Sequence, residues 1–196
     1  SPLLSNIYLD PLDHLMAGQG FEMIRYADDF VILCRTHEDA DRALAVVQQW
    51  TAQAGLTLHP DKTHIVEATE GAFDFLGYTF SCGYRYPREK SLRKLKDIIR
   101  RKTKRRNGDS LQVTIAQLNP TLRGWFEYFK HSQPRTFEPI DGGIRMRLRT
   151  ILRRRHKRKG RGVGWDHFRW KNAYFAERGL YSLQQAHVSA CQPSSR

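Results

Sequence analysis

The sequence predicts an α+β fold in two unlike parts: antiparallel hairpins with covering helices first, then an all-helical, basic part. Three observations lead to this. From Phe21 to Cys34, runs rich in Val, Ile, Phe and Leu are broken once, at Asp28-Asp29, the pattern of two apolar strands around a bend. From Pro87 onward the apolar residues recur at helical spacing. The charge changes sign at nearly the same place: residues 1–80 hold 4 Lys+Arg against 12 Asp+Glu (net −8) and residues 81–196 hold 29 against 8 (net +21), which together make the net charge of +13. The expected division is a first domain over 1–86, a helical domain over 87–185 and a polar tail over 186–196.

Taken in order, Ser1-Pro2 suits an N-cap followed by a first helical position. Leu4, Tyr8, Leu12 and Leu15 then recur along a helix that Pro11 should kink or interrupt. Gly18-Gln19-Gly20 ends it before the hairpin. Thr36-His37-Glu38-Asp39 has the form of a capping box, and Leu44, Val47, Trp50 and Ala54 follow as the stripe of a helix that covers a sheet. Leu56-Thr57-Leu58 and His64-Ile65-Val66 read as short strands flanking the turn His59-Pro60-Asp61-Lys62-Thr63. Phe73 to Phe80 alternates partly, and Ser81-Cys82-Gly83 turns it back into Tyr84-Arg85-Tyr86, a second hairpin in which Gly77 allows close backbone approach.

In the helical part, Leu92, Leu95, Ile98 and Ile99 form an apolar stripe, and residues 88–106 hold 11 Lys+Arg against 2 Asp+Glu. Asn107-Gly108-Asp109 is a turn. Ser110 opens a helix through Ile115 and Leu118, and Asn119-Pro120 restarts it with Leu122, Trp125, Phe126 and Phe129 packing and Tyr128 at the edge. Ile144, Leu148, Ile151 and Leu152 define a further helix, and between Asp141 and Asp166 there are 10 Lys+Arg and no acid. Such a run repels itself, and an anionic partner would relieve it, so a polyanion is the expected ligand of this part. Gly160-Arg161-Gly162-Val163-Gly164 reads as a flexible linker, and Trp165, Phe168, Trp170, Tyr174 and Phe175 as a small aromatic helical element.

The pair Asp28-Asp29 is the sharpest chemical signal. Buried strands on either side would present two carboxylates at a fixed place, and neighbouring negative charges call for a counter-charge. Mg²⁺ suits hard oxygen ligands and is usually held by one or two carboxylates plus substrate phosphates. Asp also favours turns for backbone reasons, so plain turn chemistry is the competing reading. Lys62, the only Lys or Arg between Arg42 and Arg85, stands in the acidic part, either as a solvated turn lysine or beside a phosphate site. Cys34, Cys82 and Cys191 are widely spaced with no Cys-x-x-Cys pair, so no zinc site is expected and the thiols read as free in a reducing cytoplasm. No apolar run approaches the roughly 20 residues that span a bilayer, and the amino terminus has no signal-peptide pattern, so no membrane is expected.

Three segments together resemble group II intron reverse transcriptases, also called maturases. Ser1 to Asp10 (Ser-Pro-Leu-Leu-Ser-Asn-Ile-Tyr-Leu-Asp) is similar to the helix before that family's catalytic hairpin, and Tyr26-Ala27-Asp28-Asp29 to the hairpin itself. Leu58-His59-Pro60-Asp61-Lys62-Thr63 and Phe75-Leu76-Gly77-Tyr78 are similar to the next two blocks. Asn119-Pro120-Thr121-Leu122-Arg123-Gly124-Trp125-Phe126-Glu127-Tyr128-Phe129 is similar to the signature of the maturase-specific thumb, which argues against a retron or defence-type reverse transcriptase.

The resemblance implies a partial polymerase palm with antiparallel hairpins followed by the helical thumb. It implies RNA-directed DNA synthesis with Mg²⁺ on Asp28, assisted by Asp29. Tyr26, Ala27, Leu76 and Gly77 would lie beside the deoxynucleotide or primer, and Lys62 would give a proton to pyrophosphate. Group II intron RNA and an RNA/DNA hybrid would be the partners. The residues expected to grip them are Arg93, Lys96, Arg100, Arg123, Tyr128, Arg149, Arg153, Arg154, Arg155, Lys157 and Arg158. A homodimer is also open, and the implied location is bacterial-type cytoplasm, at the nucleoid or in a ribonucleoprotein. The family's first metal-binding aspartate and its fingers lie on segments earlier than Ser1, so residues 1–196 alone are expected not to polymerise. The alternative is an RNA-binding splicing maturase, or a remnant, whose aspartates are idle.

Overall fold

The computed structural model describes residues 2–105, 108–162 and 164–191. The expected N-cap at Ser1, Asn107 of the expected turn, Val163 of the expected linker and the tail from 192 lie outside the described residues. The chain divides into two compact units, Ser1–Gly83 and Tyr84–Arg196.

The first unit opens with helix α1 (Pro2–Gly18), followed by strands β1 (Glu22–Tyr26) and β2 (Asp29–Leu33), helix α2 (His37–Gln53) and strands β3 (Ala72–Phe75) and β4 (Tyr78–Ser81). Both strand pairs are antiparallel hairpins. Leu9, Leu12 and Met16 of α1 meet Ala43 and Val47 of α2, and the hairpin lays Met23, Phe30 and Ile32 against them. Thr36 caps α2, its hydroxyl accepting from the Asp39 amide at 3.1 Å. Arg42 and the Thr36 hydroxyl hold the Asp39 carboxyl below its ordinary range.

Three expectations for this unit are corrected. Helix α1 runs unbroken through Pro11, because Leu9, Leu12 and Met16 on both sides of the proline are buried together and Pro11 itself is exposed. Neither Leu56–Leu58 nor His64–Val66 is a strand. These runs are too short and too open, with Leu56 and Ile65 exposed, and the amides of Lys62 and Thr63 both turn back to the His59 carbonyl. Gly77 is not inside a strand: Leu76 and Gly77 are the turn between β3 and β4, paired as Phe75 with Tyr78. Both have positive φ, 47° and 78°, the requirement of the tightest hairpin turns, which glycine meets at no steric cost.

The second unit holds strand β5 (Tyr84–Pro87) and helices α3 (Glu89–Lys102), α4 (Leu111–Phe129), α5 (Phe137–Arg155), α6 (Trp165–Arg169), α7 (Asn172–Ala176) and α8 (Leu183–Cys191), with a 3-10 turn at Pro134–Thr136. Its core is one cluster. Phe137, Ile144 and Leu148 along α5 meet Leu95 and Ile99 of α3, Leu118, Leu122 and Phe126 of α4, Phe175 and Leu183. A side chain such as Phe137, fully buried, is worth about 2–3 kcal/mol of transfer free energy. Helix α5 starts at Phe137, about two turns before the stripe that marked it, because Phe137 and Ile140 extend the same buried face.

Here too the structure departs from expectation. Helix α4 does not restart at Pro120 but continues through it. Asn119, just before the proline, is held on both ends of its side chain: its amide nitrogen donates to the Gly179 carbonyl at 2.7 Å and its oxygen accepts from the Tyr181 amide at 2.9 Å. The residues from Ala186 to Cys191, expected in a polar tail, belong to α8, since Leu183 and His187 share a face and are buried. Buried Asp141 of α5 caps that helix, accepting from the Ser182 hydroxyl at 2.6 Å and the Leu183 and Gln184 amides at 3.1 and 3.2 Å. The expected linker is not free at Gly162, which is buried. Its amide donates to the Thr150 hydroxyl at 3.1 Å, and a Cβ placed there would lie 2.6 Å from the Cβ of Arg149.

Gly162→Ala should therefore destabilise the helical unit by about 1–3 kcal/mol through forced overpacking against α5, measured as a fall in the urea midpoint; an unchanged midpoint would mean the loop is free of α5.

Candidate active site and candidate nucleic-acid interface

Tyr26 of β1 pairs with Asp29 of β2, so the turn itself is Ala27-Asp28. Of the two aspartates, Asp28 sits in the turn and Asp29 is the first residue of β2. Strand alternation places Met23, Arg25, Phe30 and Ile32 on the helix-covered side, and Ile24, Tyr26, Asp29, Val31 and Leu33 on the other. On that second side Ile24, Tyr26 and Leu33 are 47%, 66% and 49% exposed. Ala27 has φ +55°, a left-handed conformation that costs an L-residue roughly 1–2 kcal/mol, so the turn needs a restraint.

Arg25 supplies it. The sequence alternation puts Arg25 on the covered side, where an apolar residue would be ordinary, and its guanidinium reaches both α1 and the turn. Nε donates to the two Asp13 carboxylate oxygens at 2.8 and 3.1 Å, and Nη2 also pairs with Asp13. Nη1 donates to Asn6 Oδ1 at 3.0 Å and to the Ala27 carbonyl at 2.8 Å. The strained turn is thereby tied to α1. The Asp13 carboxylate raises the Arg25 pKa, so the cation is permanent. Sequence reasoning missed Arg25, Asp13 and Asn6; the signal available was a charge at a core-facing strand position in a segment poor in cations.

Because Arg25 is committed to Asp13, it does not neutralise the pair at the turn. Asp28 and Asp29 are exposed, and among the described residues neither side chain has a hydrogen-bond or ion-pair partner. Two adjacent, uncompensated carboxylates on a braced turn are a donor set that fits a hard divalent cation with its remaining positions filled by phosphate or water. Among the described residues no group of three or more His, Cys, Asp or Glu gathers to hold a metal by itself, so such an ion would need those outside ligands.

The structure brings Tyr26, Ala27, Asp28 and Asp29 together in one turn. Lys62 stands in a separate exposed loop, its backbone amide bonded to His59. Leu76 and Gly77 form the half-buried turn of the second hairpin.

The cations expected to grip nucleic acid differ in how far the fold already engages them. Arg149 is corrected: it is 3% exposed, donating from Nε to the Trp170 carbonyl at 2.9 Å and from Nη2 to Asn172 Oδ1 at 2.8 Å, over the Phe175 ring. Burial pushes its pKa down. It pins α6 and α7 to α5 and offers nothing to a ligand. Arg153 and Arg155 are partly engaged, the first with Asp166 at 2.6 Å and the Lys159 carbonyl at 2.8 Å, the second with the Asp109 carbonyl. Arg93 and Arg100 make exposed pairs with Glu89 and Asp97, both at 2.7 Å, and such surface pairs open readily. Arg123 lies over the Tyr181 ring. Lys96, Arg154, Lys157 and Arg158 are exposed, without an ion-pair partner among the described residues, and Tyr128 is 55% exposed.

Replacing Arg25 with Ala should lower the stability of the first unit by about 2 kcal/mol, mostly from charged hydrogen bonds lost at Asp13 and Ala27. Amide exchange should rise at residues 26–29, and unchanged exchange there would show the turn holds itself.

Among the described residues no helix is long and apolar enough to cross a membrane. Residues 1–80 match the family described as reverse transcriptase (RNA-dependent DNA polymerase), and residues 92–174 match the group II intron maturase-specific domain. A comparison with curated proteins gives no match. With the Asp-Asp hairpin inside the first match and the basic helices inside the second, the chain belongs to the group II intron reverse transcriptase/maturase family.

Proposed function

We propose that this chain carries the metal-holding hairpin and the RNA-gripping helices of an RNA-directed DNA polymerase that copies group II intron RNA and assists its splicing. The observation that supports the reading is the uncompensated Asp28-Asp29 pair on a turn braced by Arg25. Asp28 would hold Mg²⁺ directly and Asp29 would assist it. When bound, the ion supplies the Lewis acidity that favours attack of a primer hydroxyl and departure of pyrophosphate.

The chain's own residues do the rest. Tyr26, exposed on the same side as Asp29, flanks the primer or incoming deoxynucleotide, and Ala27 leaves room beside it. Lys62 holds a proton for the departing pyrophosphate. The Leu76–Gly77 turn supports the primer end. Lys96, Arg154, Lys157 and Arg158, with Arg93 and Arg100 once their surface pairs open, meet the phosphates of intron RNA and of the RNA/DNA hybrid, a contact that weakens as salt displaces it.

In the intact protein, Asp28→Asn should lower DNA synthesis on a primed RNA template by on the order of 1,000-fold, the size of several kcal/mol of lost charge stabilisation. RNA affinity and splicing assistance should hold. Mn²⁺ broadening of amide signals at residues 26–29 should be lost in the same variant, a readout independent of turnover. Unchanged synthesis would remove Asp28 from the metal site and leave RNA-binding assistance of splicing as the function.

Neutralising Arg154, Lys157 and Arg158 together should weaken RNA binding regardless of sequence and flatten its salt dependence by up to about three phosphate equivalents. Arg149→Gln should instead cost about 2–4 kcal/mol of stability in the helical unit, since it strands buried acceptors. Equal salt slopes in wild type and triple variant would return those three residues to the solvated surface.

A further inference from the structure

Helix α6 presents an anomaly that the fold does not use. Trp165 and Phe168 are 82% and 70% exposed, although each is large and apolar, and their rings lie beside one another with centroids 5.7 Å apart. They stand at i and i+3, on one side of the short helix. The other side is firmly seated. Asp166 is 1% exposed and takes the Arg153 guanidinium at 2.6 Å. Trp170 is 5% exposed, stacks on His156, and gives its carbonyl to Arg149. The two exposed rings are therefore held outward by one buried anchor between them in sequence and a second just after them, which is preorganisation for a ligand.

The charge around them points to the ligand's class. Residues 157–171 contain six Lys+Arg, all exposed, and one acid, Asp166. That acid is buried against Arg153, so it does not offset the field. Flat apolar faces flanked in sequence by exposed cations that have no ion-pair partner among the described residues suit a ligand that carries both π-faces and phosphates. A membrane would ask for a longer apolar face than five residues of helix provide. A protein partner would need a broader apolar patch than two rings.

We propose that Trp165 and Phe168 form a stacking platform for unpaired nucleobases, so that this unit binds single-stranded segments of RNA through base faces as well as through phosphates. The proposal rests on the reading that the helical unit binds RNA, and adds which part of the RNA it selects. Every base has a π-face, so the platform is tolerant of sequence and selective for unpaired strands. Neighbouring Arg161, Arg169 and Lys171 hold the flanking phosphates.

The test uses the 196-residue chain and three RNA probes of equal length: an unpaired strand, a blunt duplex and a strand with abasic ribose at its central positions. Wild type should prefer the unpaired strand to the abasic one. Trp165→Ala and Phe168→Ala should each weaken unpaired-strand binding on the order of 10-fold, leaving duplex affinity, abasic affinity and the salt slope unchanged. Trp165→Phe should keep most of the affinity while losing the fluorescence quenching that the strand causes in wild type. Both rings are exposed, and thermal unfolding of the variants should match wild type.

Equal binding of the unpaired strand by the double alanine variant and wild type would overturn the platform while leaving phosphate binding intact. Equal losses for all three probes would also overturn it, assigning the rings to the fold or to the phosphate grip. Loss of self-association or of binding to anionic lipid vesicles, with RNA binding unaltered, would assign them to a different partner. Absence of RNA binding in wild type would overturn the underlying reading itself.

Discussion

The candidate active site depends on where one positive charge is committed. Arg25 lies two residues before the left-handed Ala27 and three before Asp28, near enough in sequence to neutralise the carboxylates that follow. It turns instead to Asp13 and Asn6 on α1 and to the Ala27 carbonyl. That choice has two consequences. The backbone of an unfavourable turn is fastened to a helix, and Asp28 and Asp29 are left facing solvent without a side-chain partner among the described residues. A guanidinium on Asp28 would have satisfied electrostatics locally and removed the reason to recruit an external cation. The brace and the absence of a local counter-charge at the turn thus follow from a single side chain.

A similar partition of charge organises the helical unit. Helix α5 carries the core on one side and a dense row of arginines on the rest, yet those arginines do different work according to depth. Arg149 is buried and joins α6 and α7 to the helix. Arg153 is half-buried and receives Asp166 of α6. Arg154, one position on, faces solvent. Arg149 and Arg153, four positions apart, lie on the same side of α5 and both reach the Asp166–Trp170 segment, whereas Arg154 is rotated by about 100° from Arg153 and turns away from it. Asp141 extends the theme with the opposite sign, its buried carboxylate closing the amino end of α8. Structural charges are therefore engaged by partners inside, and the others face solvent. Trp165 and Phe168 sit just beyond this row, held out by Asp166 and Trp170.

Local chemistry was readable where the signal was short-range. The hairpin around Asp28-Asp29, the Thr36 cap, the stripe Leu92–Leu95–Ile99 and the change of charge near Pro87 all arise from neighbours in sequence, and the structure contains each of them. Readings failed where tertiary packing overruled a local tendency. Pro11 and Pro120 are breakers in isolation, but buried flanks in one case and the Asn119 clamp in the other carry the helix through. Gly162 has the composition of a linker and the environment of a core residue. Leu56–Leu58 and His64–Val66 have strand-like composition and no ladder.

The sequence by itself determined the acidic hairpin, the basic helices and the family that combines them, because turn chemistry, hydrophobic period and charge density are properties of contiguous residues. Only the tertiary structure decided which of the charges are available to a ligand. Availability is set by partners far away in the chain: Asp13 for Arg25, Trp170 and Asn172 for Arg149, Asp166 for Arg153. A guanidinium reads the same in sequence whether it is spoken for or free, and the difference is made by burial and by the geometry of groups brought together from distant positions.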